Sequence, residues 1–181
     1  MIYILAGLML WSGVHFWKRI APKERAKFGD KGKGFVAFGA VAGIILMVIG
    51  YRMADGAFYW GRSPALTGIN NLLMLFAFYL FAASGAKTKI TKTIRHPQLT
   101  AVVVWAAAHI LVNGDSPSFL LFGGMAVWAI AEMIVVSRAE GPRTPYHEVP
   151  VKKEVTAVIA TVVVFLIVAA IHIFLGYNPF G

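Results

Sequence analysis

The sequence predicts an all-α integral membrane protein: a bundle of six transmembrane helices in a single domain, residues 1–181. The first observation is composition, because 59% of the 181 residues are hydrophobic and only 14% are charged, which is too apolar for a soluble surface. The second is six apolar runs, most of them near the roughly 20 residues that cross a bilayer. These runs are 2–17, 34–51, 66–84, 100–112, 118–137 and 155–177.

The third observation is where the basic residues lie. Fifteen of the 17 Lys and Arg residues fall in the first, third and fifth gaps between runs. Basic loops stay cytoplasmic because they resist translocation. The alternation therefore predicts a multi-pass membrane protein whose two termini lie outside the cytoplasm, which for a bacterial inner membrane is the periplasm.

Composition also excludes several classes of function. The formal charge of +9 does not indicate a nucleic-acid partner, because the basic residues lie where loops meet anionic headgroups. The chain has no cysteine, which excludes disulfides, thiolate metal sites, thiolate-ligated haem and c-type haem attachment. The first run lacks a preceding basic region and a following cleavage site, so we expect a retained helix and not a signal peptide.

Four ionisable residues lie inside the apolar runs, where such residues are costly and indicate function. They are His15, His109, Glu132 and His172. Three histidines on three helices, without cysteine, predict a pocket for b-type haem, iron protoporphyrin IX. For each histidine alone, an interhelical hydrogen bond is the alternative. A non-haem metal site would need carboxylates beside the histidines, and only Glu132 is available.

The spacing of aromatic residues extends the candidate haem site. Trp11 precedes His15 by four residues and Trp105 precedes His109 by four, so each pair shares a helix face. By depth, His109 and His172 both lie in the outer half and His15 lies deeper. Depth therefore favours His109 with His172 as a ligand pair, although a tilted porphyrin tolerates the offset of His15.

Arg95-His96-Pro97-Gln98 lies at the cytoplasmic entrance of the fourth helix. Arg95 and His96 fit a cationic clamp for a phosphate or carboxylate, such as a haem propionate. They also fit an interfacial anchor, with proline at the helix start. Arg95 is fourteen residues from His109, or about 21 Å of helix. We therefore expect an entrance or headgroup anchor more than a direct haem contact.

Three segments together resemble the NnrU family over essentially the whole chain. They are Gly13-Val14-His15-Phe16 with Ala21-Pro22, then Arg95-His96-Pro97-Gln98 with Trp105, Ala108-His109 and Asn113-Gly114, and finally Ile171-His172. The resemblance implies a bacterial membrane protein associated with denitrification and nitric-oxide reduction. The same domain resembles 15-cis-zeta-carotene isomerase, a membrane enzyme that uses b-type haem.

The resemblance also implies a ligand pair. The isomerase takes its axial histidines from the first-helix motif and from the helix after Arg-His-Pro-Gln, which here are His15 and His109. This pair differs from the one that depth favours, and we follow the resemblance. The additional cysteine ligand of the isomerase has no counterpart here, which puts its ligand-switching chemistry in doubt.

Three classes of function stay open at this point. The protein is a haem-dependent redox or isomerase-like enzyme, a non-enzymatic haem-binding accessory protein, or a membrane methyltransferase of the isoprenylcysteine type. The last class carries Arg-His-Pro-x-Tyr and paired glutamates, whereas here Leu99 replaces the tyrosine and Met133 follows Glu132. The expected partners are the lipid bilayer, a hydrophobic or small gaseous ligand and proteins of nitric-oxide metabolism.

Overall fold

The computed structural model describes residues 1–142 and 148–181, and it is built almost entirely of helices. The basic residue Arg143 of the fifth gap lies outside the described residues. The helices are α1 (Ile2–Ile20), α2 (Pro22–Lys27), α3 (Lys31–Met53), α4 (Pro64–Ala86), α5 (Pro97–Val112), α6 (Ser116–Glu140) and α7 (Val151–Phe174). A 3₁₀ turn (Lys89–Lys92) precedes α5, and two short strands, β1 (Phe58–Trp60) and β2 (Gly114–Asp115), complete the fold. The predicted all-α class is confirmed.

Four helices are long and apolar enough to cross a membrane: α3, α4, α6 and α7. The other two long helices carry His15 and His109. Helix α1 has 19 residues, but its last turn contains the basic residues Lys18 and Arg19. Helix α5 has only 16 residues, which is about 24 Å at the usual rise. Six crossings therefore stay a prediction, whereas four helices capable of crossing are established.

The long helices pack as a chain of neighbours. Helix α1 contacts α3 and α6, α5 contacts α6 and α4, and α7 contacts α4. Helix α6 thus lies between the two helices that carry His15 and His109. Both histidines can be positioned by side chains of this one helix.

The three basic gaps meet at one end of the bundle. Three contacts join them: Arg19 Nη2 with Glu140 Oε1 at 3.6 Å, Arg95 Nη2 with Gly141 O at 2.7 Å, and the Lys89 amide with Glu154 Oε1 at 2.6 Å. Each contact links residues of two different gaps. The basic loops therefore share one end, as the charge pattern predicts.

The opposite end gathers the gaps that carry few basic residues. Strands β1 and β2 pair antiparallel, with Phe58 opposite Asp115 and Trp60 opposite Gly114. This pairing joins the second gap to the fourth. The Arg62 guanidinium donates to the carbonyl oxygen of Asn178, which brings the C-terminal segment to the same end.

Glycines allow α1 and α3 to pack at close range. A Cβ at Gly7 would lie 2.6 Å from the carbonyl oxygen of Gly43, and one at Gly50 would lie 2.6 Å from the amide nitrogen of Ile4. Both of these neighbours are backbone atoms, which cannot rotate away as a side chain does. The close approach of the two helices therefore depends on the absence of side chains at these positions.

Candidate functional site

His15 is held by its own helix and by two indole rings. Its Nδ1 lies 2.7 Å from the carbonyl oxygen of Trp11. A carbonyl only accepts, so Nδ1 of the neutral ring carries the proton and Nε2 keeps its lone pair. The Trp11 ring lies 4.2 Å from the imidazole between centroids, and the Trp128 ring of α6 lies 5.0 Å away. The histidine is thus oriented with Nε2 left as the acceptor.

His109 has the same arrangement in α5. Its Nδ1 lies 2.9 Å from the carbonyl oxygen of Trp105. The rings of Trp105 and Phe122 lie 5.0 and 4.7 Å from the imidazole between centroids. The predicted pairing of a tryptophan with a histidine four residues later is confirmed for both sites.

The C-terminal end of α5 is fixed next to His109. The Asn113 side chain donates to the carbonyl oxygen of His109 at 2.8 Å. The Trp60 indole of β1 donates to the carbonyl oxygens of Ile110 and Leu111 at 3.3 and 3.2 Å. These bonds satisfy carbonyls that the helix itself leaves unpaired. A short helix is thereby kept intact up to the histidine that it presents.

His172 lies apart from the α6 core. Its Nδ1 lies 2.8 Å from the carbonyl oxygen of Val168, so its tautomer matches that of the other two histidines. It belongs to α7, whose helical neighbour is α4. His15 and His109 are therefore the two histidines whose rings contact aromatic side chains of α6.

The two histidines next to α6 occupy different layers of that helix. Trp128 contacts His15 and Phe122 contacts His109. Six residues separate the two aromatic side chains, which is about 9 Å along a helix. The offset in depth that the sequence indicates for His15 and His109 is thus present in the packing.

Arg95 and His96 connect the start of α5 to the end of α6. Arg95 Nη2 donates to the carbonyl oxygens of Gly141 at 2.7 Å and Ser137 at 3.4 Å. His96 Nε2 lies 2.7 Å from Ser137 Oγ. A cation at a helix C-terminus pairs with unsatisfied carbonyls and with the negative end of the dipole. These contacts describe an anchor between two helices.

We expect Arg95→Ala to destabilise the fold by about 1.5 kcal/mol, because it removes a charged donor from helix-end carbonyls. Haem content per folded chain is expected to remain near the wild-type value. Arg95→Lys, which keeps the charge, is the matched control and should recover part of the loss. Denaturant titration and haem-to-protein ratios in detergent measure both effects. Loss of most haem from folded Arg95→Ala protein would contradict the anchor role.

The ring nitrogens of His15 and His109 can be compared with what an axial haem ligand requires. Haem iron takes only axial ligands from the protein. A ligating histidine usually donates its second ring N–H to a carbonyl or carboxylate. His15 and His109 each hold Nδ1 in such a bond and leave Nε2 available. The donor set therefore fits a bis-histidine haem. Among residues 1–142 and 148–181, no three His, Cys, Asp or Glu side chains are grouped to hold a metal ion.

Several residues of the site were missed by sequence reasoning. Trp128 and Phe122 form the aromatic surface of α6, and Ser137 is the partner of His96. Trp128 had a usable signal, because it precedes Glu132 by the same four residues that separate tryptophan from histidine in α1 and α5. Phe122 and Ser137 had no such sequence signal, since ordinary apolar and small residues surround them in the sequence.

Fold and site define a class of helical protein, with helices able to cross a membrane, in which two helices present tryptophan–histidine pairs to a central third helix. The comparison with known families agrees with the resemblance read from the sequence. The family described as NnrU protein matches residues 3–179, and the chain belongs to this family. No curated protein and no solved structure matches the chain.

Proposed function

We propose that this NnrU family protein binds one b-type haem, with His109 and His15 as axial ligands. One observation carries the proposal: both imidazoles are oriented by Nδ1–carbonyl bonds and both pack against aromatic rings of α6. This arrangement leaves Nε2 of each ring for a metal. It also surrounds the site with apolar side chains, which is one of the ways that a protein tunes a haem.

The residues of the chain would hold the haem and limit access to it. His109 would be a half-buried ligand between Trp105 and Phe122, at the capped end of α5. When bound, the haem supplies one-electron chemistry and affinity for small gaseous ligands. Two roles follow. One is a redox-dependent enzyme similar to 15-cis-zeta-carotene isomerase, and the other is a haem-binding accessory protein of nitric-oxide metabolism and denitrification.

A direct test separates haem binding from the methyltransferase alternative. Protein purified from haem-sufficient cells is extracted with acidified acetone, and the pigment is identified and quantified as protohaem. In parallel, the binding of S-adenosylmethionine is measured by titration calorimetry. We expect about one protohaem per chain and no binding of the methyl donor. The opposite pair of results would replace the haem proposal with the methyltransferase.

We further propose that six helices cross the bacterial inner membrane and that both termini are periplasmic. The support is that the basic loops share one end of the bundle. Helix α5 can take part although it is short, because β2 and the 3₁₀ turn flank it at the two ends. Orientation then follows from the rule that basic loops remain cytoplasmic.

Reporter fusions test this topology. We expect fusions after Lys33, Lys92 and Lys153 to report the cytoplasm, and fusions after Asp55 and Gly181 to report the periplasm. Alkaline phosphatase and green fluorescent protein form a matched pair, since each is active on only one side. A cytoplasmic position for the Gly181 fusion would contradict six crossings with outward termini.

A further inference from the structure

The cytoplasmic half of the α1–α6 contact contains a group of polar atoms without partners. Among the described residues, five side-chain polar atoms are buried and lack a hydrogen bond, and three of them lie at this contact. They are the indole nitrogens of Trp11 and Trp128 and one carboxylate oxygen of Glu132. We call these three residues, with His15, the α1–α6 polar cluster.

Contacts between the members show that the cluster is one site. The rings of Trp11 and Trp128 lie 5.2 Å apart between centroids, and both lie against the His15 ring. Glu132 follows Trp128 by one helical turn, so the two side chains share a face of α6. Trp128 is only 6% exposed. These side chains therefore form one cluster, and a ligand that satisfies its unpartnered atoms would bind between them.

The chemistry of these atoms limits what can occupy that space. A buried polar atom left unpaired is costly, so an apolar occupant such as a lipid tail would leave that cost in place. Indole nitrogens only donate, whereas the Glu132 oxygen can accept. An anion would be repelled by the carboxylate, and a cation would leave the indole N–H groups without an acceptor. A neutral molecule that both donates and accepts satisfies all of them, and water is the smallest.

The cluster also has an approach from the basic end of the bundle. Arg19 follows His15 by one turn of α1 and forms an ion pair with Glu140 at the exposed end of α6. Glu132 lies eight residues before Glu140, or about 12 Å along the helix. On α1, Arg19 and His15 thus lie in succession between the exposed ion pair and the buried indoles.

We propose that the α1–α6 polar cluster binds ordered water that enters from the basic end of the bundle, which makes this contact a hydrated inlet to the core. Buried water usually makes about three hydrogen bonds to polar groups of the protein, and the cluster offers this number of partners. The inlet does not depend on haem, because the unpartnered atoms are present whichever ligand His15 has.

The absence of cysteine from the chain permits a clean accessibility test. Single cysteines are placed at Glu132 and at Val136, which lies one turn nearer the basic end on the same helix face. Controls are Ile130→Cys and Ile134→Cys, whose native side chains are 48% and 47% exposed on the outer surface of α6. The variants are embedded in lipid nanodiscs and treated with a charged methanethiosulfonate reagent.

We expect Glu132→Cys and Val136→Cys to react about tenfold faster than the two controls, or more. The reason is that the reactive thiolate forms only where water reaches the sulfur. Elution as a single symmetric peak confirms that each variant is folded. Equal rates at all four positions in folded protein would overturn the proposal.

A second measurement reports directly on hydrogen bonding of the Trp128 indole N–H. The Raman band that reports hydrogen bonding of an indole N–H is isolated for Trp128 by subtracting the spectrum of Trp128→Phe. We expect the position of a hydrogen-bonded indole and a shift when the membrane is exchanged into heavy water. The position of a free indole, without a shift, would show that the space is dry and would also overturn the inlet.

Discussion

Replacing His109 with alanine should remove most of the haem from this protein. Even changes to the partners of a metal ligand lower metal affinity by about tenfold or more, and His109 is proposed as a ligand itself. We therefore expect haem occupancy to fall at least as far. Any remaining haem should be five-coordinate and high spin. The measurement is haem per folded chain together with the absorption spectrum.

Two matched variants complete that experiment. His15→Ala should also lose haem or convert it to high spin. His172→Ala should leave the spectrum largely unchanged, since α7 packs on α4 and not on α6. All three histidines have the same bond from Nδ1 to their own helix, so the three variants remove equivalent local contacts. If His172→Ala removes the haem and His15→Ala does not, the second ligand is His172.

Gly7→Val should destabilise the bundle by about 3 kcal/mol, at the upper end of the usual cost of overpacking. A Cβ at this position would lie 2.6 Å from the carbonyl oxygen of Gly43 and 2.9 Å from the amide nitrogen of Met47. Neither backbone atom can move without separating α1 from α3. Unfolding in a denaturing detergent, followed by helical circular dichroism, measures the change.

Gly13→Val is the control for that variant. It makes the same substitution in the same helix, but a Cβ there would meet nothing within 4 Å. We expect its stability to stay close to that of the wild type. Equal losses for Gly7→Val and Gly13→Val would mean that helix propensity, and not the α1–α3 contact, determines the effect.

Much of the candidate site was predictable because it depends on short-range helix geometry. A tryptophan and a histidine four residues apart must share a helix face, and both pairs are in ring contact. The gathering of basic loops at one end followed from the alternation of charge along the chain.

Contacts between distant segments were not predictable from the sequence. The pairing of β1 with β2 joins residues more than fifty positions apart, and neither strand is long enough to show an alternating pattern. The roles of Arg95 and His96 depend on the end of α6, so the motif alone left a clamp and an anchor open. The position of α6 between α1 and α5 likewise depends on packing, which no local pattern records.

The spectrum of the purified ferric protein tests histidine-ligated haem most directly. Wild-type protein from haem-sufficient cells is examined by optical absorption and by electron paramagnetic resonance at low temperature. The proposal predicts a Soret band at about one haem per chain and the signal of a low-spin iron with two imidazole ligands. Folded, monodisperse protein without a Soret band, or with only high-spin haem, would contradict it.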